Sequence, residues 1–257
     1  FERKTNPLRF TPVGQRLLQL AHELQPLLAA AERDMAQLIQ GQAGELRVAV
    51  ECHTCFDWLM PAMDAYRQDW PAVELDIVSG FQADPVGLLL SHRADVAIVS
   101  ENEAQAGVCF QPLFAYEMVG IAAHSHPLAQ KAVWQATDFA DETLISYPVP
   151  DQMLDVLRQV LLPAGVQPAR RHSELTIAII QLVASRRGIA ALPYWAILPY
   201  LEKGYVVARP ITEGGLYSQL YAALRSEDAD KAYLSHFCHT VREQSFAKLP
   251  GLNVLPG

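Results

Sequence analysis

Residues 11–55 read TPVGQRLLQLAHELQPLLAAAERDMAQLIQGQAGELRVAVECHTC, and this stretch decides the fold. Thr11-Pro12 is a helix start, with Thr as N-cap and Pro at the first helical position, where its missing N–H costs nothing. From there Leu17, Ala21, Leu24, Leu28, Ala31, Met35 and Leu38 recur at alternating four and three residues, a narrow apolar stripe of coiled-coil period. Glu32, Arg33, Asp34 and Gln37 fall off the stripe. A helix over 12–40 is about 43 Å long at the usual rise per residue. Helices that lie on their own domain's core are usually shorter, so a dimerising or connecting helix is expected. Pro26 removes one backbone bond from that rod and kinks it. Gly41-Gln42-Ala43-Gly44 ends the helix as a hinge. The chain then turns to β with an apolar strand at 46–50, and Glu51-Cys52-His53-Thr54-Cys55 occupies the turn into the next helix.

Downstream, strand and helix signals alternate, which predicts an α/β fold. A helix carries Leu59, Met60, Met63 and Tyr66 on one face, with Pro61 in its first turn if it begins near Asp57. Strands are expected at 73–78 and 95–99, with a helix at 85–92 between them. A second set follows, with strands at 118–123, 144–147, 170–174 and 189–192 and helices at 151–162 and 176–187, the last closed by Gly188. The chain returns through a strand at 217–224 and a helix at 229–245. Two parallel-sheet lobes joined by crossing strands place a ligand cleft between them, at strand C-termini and helix N-termini.

The 257 residues are 51 % hydrophobic and 19 % charged, enough apolar mass for about two domains and too much for a disordered chain. The net charge of −8 makes the bulk a poor partner for nucleic acid or an anionic membrane, so any such contact must be local. One local exception is residues 1–16, where Arg3, Lys4, Arg9 and Arg16 face Glu2 alone. The near-continuous apolar run at 189–201 carries two prolines and is too short to span a bilayer, and no secretory signal opens the chain. Four cysteines are too few for a disulfide scaffold, which favours a reducing, cytoplasmic setting.

Candidate chemistry gathers at the predicted cleft. A Cys-x-x-Cys pair beside a helix start can be a redox dithiol. With Glu51 and His53 it can contribute to a metal site, although no second Cys/His cluster accompanies it. Alternatively, Thr54 and the adjoining amides receive a ligand carboxylate, or Cys52 and Cys55 are small buried packers. Ser100 and Glu101 end the third strand on the same side, where a carboxylate can accept a ligand ammonium or stand in a solvated loop. Tyr147-Pro148 and Pro193-Tyr194-Trp195 end second-lobe strands, and their rings either close over an aliphatic ligand or pack the lobes together. Arg186 and Arg187 suit a helix C-terminus by charge alone. No Gly-x-Gly-x-x-Gly, P-loop, Gly-x-Ser-x-Gly or His-Glu-x-x-His motif is present, and no nucleophile, base and orienter come together. Neither an enzyme nor a cofactor or metal is expected.

Phe1-x-Arg3 and Leu8-Arg9-Phe10-Thr11-Pro12-x-Gly14 resemble the end of the winged helix-turn-helix and the start of the linker helix in LysR-type transcriptional regulators. His126-Pro127-Leu128 and Gly188-Ile189-Ala190-Ala191-Leu192-Pro193 resemble motifs of their second lobe. Val48 to Cys55 with Trp58, Ser79-Gly80 with Asp84-Pro85, Tyr147-Pro148-Val149 and Pro193-Tyr194-Trp195 are similar to the family's regulators of methionine biosynthesis. The resemblance implies a two-lobed, periplasmic-binding-protein-like effector domain behind a dimerising linker helix. It divides the chain into a helix-turn-helix remnant (1–11), linker helix (12–40), hinge (41–44), lobe I (45–114 and 215–257) and lobe II (115–214). It further implies a cytoplasmic homodimer or tetramer that reaches promoter DNA through an N-terminal domain of which only 1–11 remain, with a small amino acid, homocysteine, as coinducer. By the same resemblance the effector contacts fall at Glu51, His53, Thr54, Cys55, Phe81, Asp84, Ser100, Glu101, Tyr147, Pro193 and Tyr194. Two rivals share parts of the pattern. A solute-binding protein of the same architecture leaves the helix at 12–40 without purpose, and a Cys-x-x-Cys redox protein requires an accessible thiol of low pKa.

Overall fold

The structure is a computed structural model and describes residues 10–40, 44–50, 54–78, 84–100 and 102–255. It opens with the 29-residue helix α1 (Pro12–Gln40), Pro26 inside it. Thr11 caps it, its Oγ1 accepting from the Gly14 N–H at 3.1 Å. Leu17, Leu24, Leu28 and Met35 of the stripe are exposed, with Leu17 and Leu28 at 66 % and 65 %. Ala21 and Ala31 are exposed with them, whereas the side chain of Leu38 lies outside the described set. Leu18, Leu20 and Leu27 are also exposed, so the apolar surface is broader than one coiled-coil seam. Within the chain α1 packs mainly against β1 (Gly44–Val50), the strand that follows it.

The first lobe is built on β1, α2 (Phe56–Asp69), β2 (Val73–Ile77), α3 (Pro85–Leu90) and β3 (Val96–Val99). β1 runs parallel to both β2 and β3. On α2, Leu59, Met63 and Tyr66 are buried but Met60 is half-exposed, because a step of one residue turns it about 100° off the core face. The helix begins at Phe56, which puts Pro61 in the second turn, where it costs a backbone bond instead of standing free in the first. Asp84 caps α3, its Oδ1 accepting from Gly87 N–H at 2.7 Å, with Pro85 at the first helical position.

β4 (Val108–Ala122) is the long element that joins the lobes. From Val108 to Met118 it pairs antiparallel with β9 (Leu216–Arg225), and from Met118 onward its partners are β7 (Ala190–Pro193) and β8 (Val207–Pro210). β3 pairs antiparallel with β9 and β10 (Leu252–Asn253) with β4, which gives the order β10-β4-β9-β3-β1-β2. The sheets are therefore mixed and not wholly parallel. The parallel pairing of the second lobe lies in β5 (Thr143–Ser146) with β6 (Ala169–His172) and in a bridge from Leu144 to Ile189. The first half of β4, β8 and β10 carry no strong alternation and are not legible as strands in the sequence.

The helices of the second lobe also depart from expectation. Residues 151–162 form a short 3-10 turn (Asp151–Met153) and a π-helical turn (Val156–Leu161). α4 (Thr176–Ala184) matches the expected position, and α5 (Tyr194–Glu202) occupies a stretch after Pro193 for which no element is expected. The C-terminal helix is α6 (Ala232–Lys248). Gly188, at φ +150, lets β5 and β7 approach, since a Cβ there would stand 2.2 Å from the Thr143 carbonyl oxygen.

Among the described residues, four apolar clusters fill the two lobes. Trp58, Leu59, Tyr66, Phe114 and Phe237 centre the largest, and α5 contributes Trp195 and Ala196 to it from across the chain. Trp134, Phe139, Leu144 and Ile189 centre the chief cluster of the second lobe. At the start of β3, an ion network binds the strands of the first lobe together. Arg225 donates from Nε to Asp228 at 2.5 Å and from Nη2 to Asp95 at 3.2 Å, and its Nη1 reaches the carbonyls of Leu89 and Ala94. Arg47 and Lys231 supply further cations to Asp95 and Asp228. Burial disfavours the Arg225 charge, but Asp228 and Asp95 outweigh it and hold the guanidinium pKa above its ordinary value.

Candidate functional site

Between the lobes lies a cavity of about 100 Å³. On the first-lobe side it is lined by Thr54, at the turn after β1, by Ser100, just past β3, and by Leu220 of β9. Tyr116 and Met118 enter from β4, two residues apart and so on one face of the strand. The second lobe contributes Tyr147 and Val149 after β5, Met153, Leu154 and Asp155 before the π-helical turn, and Ala191, Leu192 and Pro193 of β7. The wall is thus mainly apolar with a few polar groups, the usual make-up of a small-molecule site. A water needs roughly 10–15 Å³ by this measure, so the space is ample for a small ligand.

The polar groups are held by their neighbours. Tyr147 Oη shares a hydrogen bond of 2.7 Å with Thr176 Oγ1 at the start of α4, which orients the ring. Ser146, one residue earlier, accepts from Arg170 Nη2, and Arg170 also pairs with Asp151 at 3.1 Å. Asp155 is buried, and both Arg158 Nη2 (2.5 Å) and Gln159 Nε2 (2.8 Å) donate to its Oδ1. Beyond Ser100 a more polar cleft continues past Arg158, Gln159 and Ser218.

Of the residues nominated from sequence, Thr54, Ser100, Tyr147 and Pro193 line this cavity. Glu51, His53, Phe81 and Glu101 lie outside the described residues, as does Cys52. Asp84 serves as the cap of α3, and Tyr194 packs with the Ile179–Ile180 cluster of the second lobe. Cys55 is fully buried and disulfide-bonded, which differs from the reduced thiols expected from so few cysteines. Cys109 and Cys238 are free. Burial, with Cys109 nearby, pushes the Cys238 thiol up to about 12, and burial raises that of Cys109 as well. The described cysteines thus supply no activated thiol, and among the described residues no group of His, Cys, Asp and Glu is placed to hold a metal. Among the described residues no helix is long and apolar enough to cross a membrane.

Sequence reasoning missed Tyr116, Met118, Val149, Met153, Leu154, Asp155, Ala191, Leu192 and Leu220. The period-two spacing of Tyr116 and Met118 was a usable signal once β4 was known to begin at Val108. Asp155 had none, because a π-helical turn leaves no periodic mark.

Residues 39–245 match the model of the LysR substrate binding domain family. The chain is 66 % identical to the HTH-type transcriptional regulator MetR of Haemophilus influenzae over 255 residues, which is 99 % of this chain and 82 % of that protein. It is 40 % identical to MetR of Escherichia coli K12, over 97 % of this chain and 78 % of that protein. The regulatory domain of MetR from N. meningitidis, a LysR family regulator, superposes with a TM-score of 0.78 at 72 % identity, covering 82 % of this chain and 98 % of that one. A second solved form of that domain carries serine in place of two cysteines three positions apart. Full-length BenM, at 20 % identity and a TM-score of 0.69 over 96 % of this chain and 82 % of that one, shares the fold. With a periplasmic-binding-protein-like α/β fold and a family match over most of its length, the chain belongs to the LysR family of transcriptional regulators.

Proposed function

We propose that this chain is the effector-sensing and self-associating portion of a regulator of methionine-biosynthesis genes, with homocysteine as its coinducer. The observation that carries the reading is the small, mainly apolar cavity lined from both lobes. Thr54 and Ser100 offer hydroxyls to a ligand carboxylate, while Met118 and Met153 give its sulfur-bearing side chain a polarizable wall. The MetR relatives support the choice of pathway. In this reading lobe I comprises 45–114 and 215–257, lobe II comprises 115–214, and the exposed leucines of α1 pair with those of a second copy. DNA contact belongs to a helix-turn-helix ahead of residue 12, in a cytoplasmic homo-oligomer that performs no catalysis.

A ligand can shift such an assembly only by binding one lobe arrangement better than another, and a cavity walled by both lobes provides that difference. Thermal unfolding in L-homocysteine, methionine and homoserine, each under reductant, tests the proposal. At 100 times the dissociation constant one site adds about 2.7 kcal/mol, worth roughly 5–11 °C for a chain of this size. A rise with homocysteine alone supports the assignment. No rise with any of the three at millimolar concentration removes it.

A further inference from the structure

We infer that Asp155 is the residue that selects for an amino group on the effector, accepting a ligand ammonium on its Oδ2 and disfavouring the same molecule without it. This rests on the reading of the interlobe cavity as an amino-acid site and adds the group that makes it one. Asp155 is only 8 % exposed, and it is the one carboxylate among the described residues that line the cavity. Its two oxygens are used unequally. Oδ1 takes both protein donors, Arg158 Nη2 at 2.5 Å and Gln159 Nε2 at 2.8 Å, and Oδ2 takes none from any described residue. The sealed side-chain polar atoms without partners, among the described residues, are Trp58 Nε1, Arg170 Nε and Trp195 Nε1. Asp155 Oδ2 is not one of them, so it opens onto accessible space, and the space that Asp155 borders is the cavity.

An ionised carboxylate in a largely apolar wall needs its lone pairs satisfied. The protein fixes one oxygen and thereby the rotamer, while the second is left for a donor that arrives with the ligand. An ammonium carries three donors and a positive charge, and its hydrogen bonds to a carboxylate are among the strong ones. Arg158 offsets part of the charge of Asp155 through a direct ion pair, yet that contact is made on Oδ1 by a side chain 41 % exposed, which leaves the Oδ2 contact to the ligand. A ligand with hydrogen in place of the ammonium leaves Oδ2 dehydrated and unpaired, a cost that discriminates more strongly than a lost methylene.

Calorimetric titration of this chain with L-homocysteine and with 4-mercaptobutyrate, its counterpart lacking the amino group, tests the inference. Both are thiols with a carboxylate, so any exchange with the Cys55 disulfide is common to the two. The wild-type chain is expected to prefer homocysteine by about tenfold or more. Asp155→Asn should bring the two ligands to within about threefold of each other, mostly by weakening homocysteine. Arg158→Gln removes the cation from Oδ1 at a half-exposed position and should widen the preference. Equal wild-type binding of the two ligands overturns the role of Asp155 while leaving the cavity as the effector site. An unchanged preference in a folded Asp155→Asn does the same, and if that variant does not fold, an Arg158→Gln preference that narrows overturns it. Binding of neither ligand by the wild-type chain defeats the amino-acid reading and the selection role with it.

Discussion

Arg225→Leu separates what holds the first lobe together from what the cavity does. The guanidinium is 7 % exposed and meets Asp228, Asp95 and two backbone carbonyls, so its removal strands acceptors in the interior. Breaking a buried ion pair from one side costs about 3–5 kcal/mol when the remaining charge is left alone. Here neither carboxylate is left alone, because Asp95 keeps Arg47 at 3.1 Å and Asp228 keeps Lys231 at 2.8 Å. The expected loss is therefore at the low end, about 3 kcal/mol. At roughly 2–4 °C per kcal/mol the midpoint of thermal unfolding should fall by about 6–12 °C. The cavity should not notice. Asp95 and Ser100 lie at opposite ends of β3, five residues and about 16 Å apart, and Arg225 is the same number of residues from Leu220 along β9. Calorimetry well below the new midpoint should return the wild-type affinity for effector. A midpoint shift under about 1 °C would refute the network's part in stability. A parallel loss of affinity in the folded variant would refute the separation of platform from site.

Three further outcomes follow from the same structure. Asp228 is opposed by burial but held below the usual carboxylate range by Lys231 and Arg225, so its folded pKa is lower than its unfolded one. Its stabilisation is then complete above about pH 4, the unfolded value, and is lost as pH falls through the folded pKa; urea titrations from pH 7 to 3 should show a shallower decline in Asp228→Asn. Cys238, buried with a thiol pKa raised to about 12, should resist iodoacetamide at pH 8 in the folded chain and react once urea is added, and rapid native labelling would contradict the packing around α6. Leu28→Glu places a charge on an exposed α1 leucine, so it should leave the thermal midpoint nearly unchanged while converting dimers to monomers in sedimentation, and an unaltered mass would argue against pairing through this face.

The parts of the fold that were legible are those whose cause is local. α1 announces itself through a Thr-Pro start and a seven-residue repeat, and α3 through Asp84-Pro85. Thr54, Ser100, Tyr147 and Pro193 were found because they stand at or just past strand ends, where α/β folds place ligands, and because the resemblance to regulators of this kind pointed to the same ends. What escaped has a non-local cause. β4 is a strand because β9, β7 and β8 pair with it in turn, so its first half has no periodicity of its own. α5 follows Pro193 directly and carries Pro199, two breakers in one apolar run, so no helix is expected there although Trp195 and Ala196 are drawn into the core of the other lobe.

The missed wall of the cavity is instructive in the same way. Asp155 lies in the 151–162 segment, which was read as one regular helix, and in a regular helix residues 155, 158 and 159 form an ordinary solvated face of i, i+3 and i+4 pairs. The structure breaks that segment into a 3-10 turn and a π-helical turn, with Asp155 between them and buried. Arg158 and Gln159 still reach it, but now from the side of the polar cleft, and the carboxylate is turned inward with one oxygen in use. A π-helical turn widens the backbone spacing, and such turns are frequent at functional sites. The same departure that defeats the periodic reading therefore accounts for an acidic side chain in a mainly apolar wall. It places the cavity's one described carboxylate on the second lobe, across from Thr54 and Ser100 of the first, so that a zwitterion with one end on each lobe is the ligand whose binding depends most on the distance between them.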